Sequence, residues 1–303
     1  MTEKKQGHHY IPNKSYLKNF ADASGKVWVL KPDGKIFNTD PTNIFKEAHF
    51  YTITLGTNGG SLVIENTLAE IEGGFATIYR EKIAKGLDLT DEERATVSVF
   101  LAALYERTKS RREEMRGMFD NLRQSMEGWA EMFRNNKTAR DFSARMSTGS
   151  KDKDQSITQD DVKKVLENLD EYHSVTMMSS LSEIAQIIFN MKWSIMTAPP
   201  GHVFVTSDSP FCVLRPEAIK KYGPRAIGSV PGLVYKDTEI TVPLSSTHAI
   251  LAGWKLERNG TWEVDEKALD QINSRTVMNA NDIVANNRAI LEEILKKHPP
   301  EQQ

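Results

Sequence analysis

The stretch Gly7-His8-His9-Tyr10-Ile11-Pro12-Asn13-Lys14-Ser15-Tyr16-Leu17-Lys18-Asn19-Phe20 places two imidazoles and two phenols beside apolar residues, close to the start of the chain. Exposed chain ends seldom carry such a mixture, so we expect this segment to be held against the body of the protein. On an extended segment successive side chains point to opposite faces. Only one of His8 and His9 is therefore expected to face a site.

The composition limits the classes of function. The 303 residues carry 39 Lys and Arg against 41 Asp and Glu, a formal net charge of -2. No overall positive field attracts nucleic acid, so contact with a nucleic acid or nucleotide has to come from a local basic patch. Cys212 is the single cysteine, which excludes an internal disulfide and fits a reducing compartment. No apolar run is long enough to span a bilayer. We expect a cytoplasmic protein without membrane contact.

Turn and cap signals organise the first part of the chain. Pro32-Asp33-Gly34 lies between two β-type runs and predicts a hairpin, and residues 49–55 are a further strand candidate. From Leu62 onward apolar residues recur at threes and fours, which predicts a helix that Gly73-Gly74 weakens or bends. Thr90-Asp91-Glu92-Glu93 has the capping-box form and predicts the start of the next helix.

Strand-like runs return after residue 190. They lie at residues 193–197, 202–206, 211–214, 239–244 and 248–252, and helices are predicted over 266–281 and 283–297. The pattern predicts an α+β fold with an N-terminal hairpin region, a helical central region and a C-terminal antiparallel or mixed sheet. The corresponding regions are 1–60, 61–190 and 191–303, and we expect them to form one compact unit.

Several short motifs together resemble a known family. His8-His9-Tyr10-Ile11-Pro12 is followed by Tyr16-Leu17, and the further matches are Glu65 with Glu72, Arg107-Thr108, Thr206-Ser207-Asp208-Ser209-Pro210 and Val242-Pro243-Leu244-Ser245. On these motifs the chain resembles a bacterial family of uncharacterised proteins known by an N-terminal His-His-Tyr-x-Pro signature followed by Tyr-Leu. The likeness spans nearly the full chain. It implies family membership but no settled activity.

Glu65 and Glu72 lie seven residues apart on a predicted helix, hence on nearly the same face. Carboxylates on one face can hold Mg²⁺ or Mn²⁺ if an imidazole such as that of His8 approaches. The simpler interpretation is that Glu65 stabilises the helix N-terminus and Glu72 is solvated.

The densest basic cluster contains Arg107, Lys109, Arg111 and Arg112. Guanidinium groups clamp phosphate oxygens, which suits a nucleotide or polynucleotide substrate. Three glutamates interleave with these residues, however, and a solvated face of mixed charge has the same pattern. Arg107 ends an apolar helical stripe and is expected to point inward.

Asp208 follows an apolar strand, a place where catalytic groups are displayed on a rigid base. Asp and Ser before Pro210 also organise turns through side-chain hydrogen bonds, and we leave both interpretations open.

Two hypotheses follow. The first is a metal-dependent phosphodiester hydrolase, a nuclease of bacterial defence or toxin type that uses Mg²⁺ or Mn²⁺. Its catalytic residues would be His8 or His9, Arg107 and Asp208; its metal ligands Glu65 and Glu72; and its substrate-binding residues Tyr10, Arg111 and Ser207. The second is a non-catalytic recognition or sensor module, in which the same residues form a buried polar network that pins the N-terminal segment to the helical core.

Overall fold

The computed structural model describes residues 7–12, 14–48, 60–135, 159–222 and 232–299. Within these ranges the chain has an α+β fold, which confirms the predicted class. No helix in the described ranges combines the length and the apolar character needed to cross a bilayer.

The N-terminal part forms short strands. They are β1 (Gly7–His9), β2 (Val27–Leu30), β3 (Ile36–Thr39) and β4 (Lys46–Ala48). The first and fourth pair in antiparallel fashion, and β2 and β3 form the predicted hairpin. Gly34 has a φ of 82°, as a glycine in the turn allows. The strand candidate at residues 49–55 lies outside the described residues.

The middle of the chain is helical. Its helices are α1 (Gly60–Glu81), α2 (Asp91–Glu106), α3 (Lys109–Asn135), α4 (Gln159–Glu167) and α5 (Leu169–Asn190). The capping box is confirmed, because Thr90 and Glu93 exchange both of its hydrogen bonds. α1 runs through Gly73 and Gly74 without interruption. A Cβ on Gly74 would lie 3.0 Å from Cγ2 of Thr96, so this glycine permits close approach of α1 and α2.

The last part alternates strands and helices. They are β5 (Lys192–Thr197), β6 (Thr206–Ser207), β7 (Cys212–Leu214), α6 (Pro216–Tyr222), β8 (Glu239–Pro243), β9 (His248–Gly253), β10 (Gly260–Glu263), α7 (Glu266–Met278), β11 (Ile283–Ala285) and α8 (Arg288–Lys297). One sheet has the order β10-β5-β9-β8-β7 and is mixed, since only β10 and β5 run parallel. The second sheet, β3-β2-β11-β6, is antiparallel and joins the N-terminal hairpin to C-terminal strands.

Two predictions of secondary structure were wrong. The last helix was predicted from residue 283, but Ile283–Ala285 form β11 between β2 and β6, and Asn287 caps the helix that follows. The strand predicted at residues 202–206 is paired only from Thr206 onward. Before Thr206, the side chain of Asn273 makes hydrogen bonds to this segment of backbone. Its Oδ1 accepts from the backbone N–H of Val205, and its Nδ2 donates to the carbonyl of Val203.

The N-terminal motif is part of the main core. Tyr16, Leu17 and Phe20 are fully buried, and the Tyr16 hydroxyl donates to the carbonyl of Pro243 at 2.6 Å. The same hydroxyl lies 2.7 Å from Oγ1 of Thr206. These contacts hold the motif between the helices and the C-terminal strands.

Candidate functional site

A buried guanidinium ties the N-terminal strand to the helices. Arg107 follows the last residue of α2 and is 3 % exposed. Its Nη1 donates to Oε1 of Glu72 at 2.7 Å, and its Nη2 donates to the carbonyl of His9 at 2.6 Å. The hydroxyl of Ser15 donates to the other oxygen of Glu72 at 3.3 Å. We call Arg107, Glu72, Ser15 and the His9 carbonyl the anchor network, because they join β1, α1 and the end of α2.

His9 lies beside this network with its ring half-buried. Burial lowers the pKa of the imidazole, and the positive charges of Lys46 and Arg107 add to the effect. A hydrogen bond to the carbonyl of Ile44 opposes the shift. The ring is therefore held in its neutral form near pH 7. The side chain of His8 lies outside the described residues.

Tyr10 is the centre of a second group of charges. Its ring packs on that of Phe45 at a centroid distance of 5.9 Å, and Nζ of Lys109 lies 5.0 Å from the centroid of the Tyr10 ring. Burial raises the pKa of the phenol, and the nearby charges of Asp208 and Asp282 raise it further. The phenol is thus held protonated.

One carboxylate near Tyr10 receives two cations. Lys109 and Arg112 lie on the first turn of α3, and the Nζ of Lys109 is 3.0 Å from Oε2 of Glu47. Nη2 of Arg112 donates to both oxygens of Glu47, at 3.1 and 3.0 Å. Burial disfavours the charged carboxylate, but the hydrogen bonds from both cations outweigh it and lower its pKa. Tyr10, Glu47, Lys109, Arg112 and Asp208 form what we call the Tyr10 centre.

Asp208 closes a turn at the edge of this centre. Its Oδ1 accepts from the backbone amides of Asn281 and Asp282, at 3.0 and 3.3 Å. Burial nevertheless raises the pKa of the Asp208 carboxyl above its usual value. The neighbouring Ser209 hydroxyl lies 3.0 Å from that of Ser110, which places this turn against the start of α3.

The backbone is strained where the chain enters the site. Phe45, the residue before β4, is buried and has a φ of 55°, a left-handed conformation that bulky residues rarely adopt. Such strain persists only where the surroundings enforce it, and it concentrates at functional sites.

Three of the sequence-predicted residues have other surroundings. Arg111 contacts Glu106 and Glu114 and stacks over Tyr105. Ser207 is fully buried, and its hydroxyl accepts from the amide of Ser209. Glu65 is half-buried on α1.

The predicted metal ligands Glu65 and Glu72 both lie on α1. Arg107 and Ser15 occupy the two oxygens of Glu72. Among the described residues no three His, Cys, Asp or Glu side chains are grouped as a metal ion would require. The divalent ion stays a prediction.

Glu47 is the main residue of the Tyr10 centre that was not predicted from the sequence. It lies on a three-residue strand, and no spacing in the sequence connects it to residue 112. Lys109 and Arg112 were part of the basic cluster noted in the sequence, but Arg107 and Arg111 were preferred over them. Arg107 was singled out because it ends an apolar helical stripe, and the interleaved glutamates gave Lys109 and Arg112 the appearance of a solvated face.

A cleft elsewhere on the surface has different chemistry. It has a volume of about 460 Å³ and is lined in part by Arg94, Trp193 and Thr261. The guanidinium of Arg94 stacks on Trp193 and donates to the carbonyls of Phe189 and Met191. Because backbone carbonyls already use these donors, we give the cleft less weight than the Tyr10 centre.

The fold and the site define an α+β protein whose N-terminal strand is fastened by a buried arginine beside a group of charged residues. The chain belongs to the family described as "Protein of unknown function (DUF4238)", whose model matches residues 7–289. This confirms membership of an uncharacterised family across nearly the whole chain. The bacterial origin and the N-terminal signature stay predictions. No curated protein and no solved structure matches the chain.

Proposed function

We propose that this protein recognises a phosphate-bearing ligand, a nucleotide or a nucleic acid, at the Tyr10 centre. One observation carries the proposal: Lys109 and Arg112, from the same helical turn, converge on a single oxyanion, the carboxylate of Glu47. An ammonium and a guanidinium aimed at one anion are the groups that bind phosphate oxygens in proteins.

The surroundings support an anionic ligand. Lys109 is the first residue of α3, and the N-terminus of a helix carries a partial positive charge and backbone amides that favour anions. Lys31 pairs with Asp282, which reduces the negative charge near the centre. Lys109 and Arg112 form a local basic patch. A protein with a net charge of -2 needs such a patch to attract an anionic ligand.

The anchor network is architecture in this proposal. Arg107 is 3 % exposed, and its terminal nitrogens donate to Glu72 and to the His9 carbonyl. A phosphate could reach this guanidinium only by breaking the buried ion pair, which would leave Glu72 without its counter-charge. The network therefore fits the recognition hypothesis, in which it pins the N-terminal segment to the helices.

Binding measurements test the proposal. A nucleoside monophosphate and a short single-stranded oligonucleotide are titrated calorimetrically into the wild type, Lys109→Gln and Arg116→Gln. Arg116 is a matched control, because it is an exposed cation on α3 that pairs with Glu113 rather than Glu47. We expect Lys109→Gln to weaken binding about tenfold or more, and Arg116→Gln to change it little. Absence of binding by the wild type, or equal losses in the two variants, would contradict the proposal.

A second candidate function is the metal-dependent phosphodiester hydrolysis predicted from the sequence. The observation in its favour is Asp208, a buried carboxyl with a raised pKa at the edge of the Tyr10 centre, since shifted carboxyls often serve as general acids or bases. In this candidate His8 or His9 and Arg107 would act beside Asp208, and Glu65 and Glu72 would hold the ion. A role in bacterial defence or as a toxin would follow.

Turnover separates the two candidates. Single- and double-stranded DNA and RNA are incubated with Mg²⁺ or Mn²⁺, with and without EDTA, using the wild type and Asp208→Asn. Metal-dependent cleavage that disappears in a variant of unchanged melting temperature would support hydrolysis. Binding without cleavage would leave recognition as the function.

A further inference from the structure

The carboxylate of Glu47 has the position that an anionic ligand would need. Its two oxygens accept three contacts from Lys109 and Arg112, all between 3.0 and 3.1 Å. A phosphate group offers the same kind of acceptor oxygens at a similar spacing. An external phosphate and Glu47 therefore cannot both use these two cations fully.

The burial of the three side chains is unequal. The side chain of Arg112 is 10 % exposed, whereas those of Glu47 and Lys109 are 36 and 43 % exposed. The guanidinium is thus part of the protein interior, and the carboxylate approaches it from the solvent side. Rotation of Glu47 into water solvates the carboxylate but leaves the buried Arg112 without its counter-charge, and an incoming anion that takes the same place restores that charge.

We infer that Glu47 is a built-in competitor: its carboxylate covers an oxyanion site made by Lys109 and Arg112, and a ligand's phosphate binds by displacing it. The inference rests on the proposed function and adds its regulation. The apparent affinity of the protein for phosphate is then reduced by the fraction of time that Glu47 covers the site.

Replacing the competitor tests this directly. Glu47→Gln keeps the shape of the side chain but removes the charge that holds it to both cations. With the site covered about nine-tenths of the time, the dissociation constant for inorganic phosphate should fall about tenfold in Glu47→Gln. Phosphate should also raise the melting temperature of Glu47→Gln more than that of the wild type at the same concentration.

A matched control shows whether the loss of one negative charge on its own raises the affinity for phosphate. Glu114→Gln deletes an acidic group that pairs with Arg111 on the same helix, whereas Lys109 and Arg112 pair with Glu47. Its affinity for phosphate should stay within a factor of two of the wild type. Adding Arg112→Gln to Glu47→Gln should abolish the gain, because the guanidinium that receives the phosphate is then missing.

The outcomes distinguish this inference from the function on which it rests. If wild type binds phosphate and Glu47→Gln binds it no more tightly, Glu47 is only a structural ion pair and the inference fails while the proposed function stands. An equal gain in Glu114→Gln overturns the inference in the same way. If neither the wild type nor Glu47→Gln binds phosphate or a nucleotide, the proposed function fails and the inference with it.

Discussion

Arg107 shows at the scale of one residue how the N-terminal segment is held. Its guanidinium joins Glu72 to the carbonyl of His9, so removing it leaves a carboxylate and a carbonyl without their donor. We expect Arg107→Ala to lower the free energy of unfolding by about 3 kcal/mol, the lower end for a buried pair because Glu72 keeps some solvent contact. Urea denaturation measures this. Arg80→Ala, at an exposed pair with Glu81, should cost about 0.5 kcal/mol or less. Equal midpoints for the two variants would contradict the anchor network.

Asp208 supplies a second prediction at this scale, which concerns pH. Burial raises the pKa of its carboxyl, so between the ordinary value and the raised value the folded state binds more protons than the unfolded state. This group therefore makes stability fall as the pH rises through that window. Asp208→Asn should remove this contribution and be at least as stable as the wild type at pH 7, because the amide oxygen still accepts from Asn281. Melting temperatures between pH 4 and pH 7 would show this, and a large loss of stability at pH 7 would contradict it.

Helices and turns whose stabilising contacts lie within a few residues could be predicted from the sequence. The Pro32-Asp33-Gly34 turn and the Thr90 capping box act within four residues, and both were predicted. β11 was not predicted, because the three residues Ile283–Ala285 are too few to show an alternating apolar pattern. They form a strand because they pair with β2 and β6. The site has the same limitation, since the contact of Glu47 with Arg112 depends on how distant elements pack.

Asn273 illustrates such long-range control of an element. Its amide bonds both to the Val205 amide and to the Val203 carbonyl, at 3.0 Å each, and the residue is buried. Asn273→Ala should therefore lower the free energy of unfolding by about 2 kcal/mol, because it leaves two backbone groups without partners. Thermal or urea unfolding measures the loss. Asn190→Ala, which removes one exposed hydrogen bond within α5, serves as the control and should cost less than about 0.5 kcal/mol.

The whole molecule should lose stability in mild acid. Burial lowers the pKa of both His9 and His248, so below the ordinary value of 6.5 the unfolded chain takes up protons that the folded chain resists. Stability is thus complete above about pH 6.5 and decreases as the pH falls toward the lowered values. We expect the melting temperature to drop between pH 7.5 and pH 5.5, and to drop less in His9→Gln. The same slope in His9→Gln would show that this imidazole is not responsible.

The architecture explains how separate parts of the chain come to share one site. The N-terminal hairpin lies in the same sheet as β6 and β11, and the anchor network fastens β1 to α1 and α2. Asp208, on the turn after β6, is thereby placed near Tyr10, about two hundred residues earlier in the sequence. The dispersed motifs of the sequence indicated such a gathering, but they could not show which residues meet.

Phosphate recognition at the Tyr10 centre is tested by titrating the isotope-labelled protein with inorganic phosphate and recording the amide NMR shifts. We predict saturable shifts concentrated at residues 46–48, 108–112 and 207–209, where β4, the start of α3 and the Asp208 turn meet. Lys109→Gln should weaken them, whereas Arg116→Gln should leave them in place. Shifts that do not saturate, or that spread along the rest of α3 instead, would contradict a phosphate site at the Tyr10 centre.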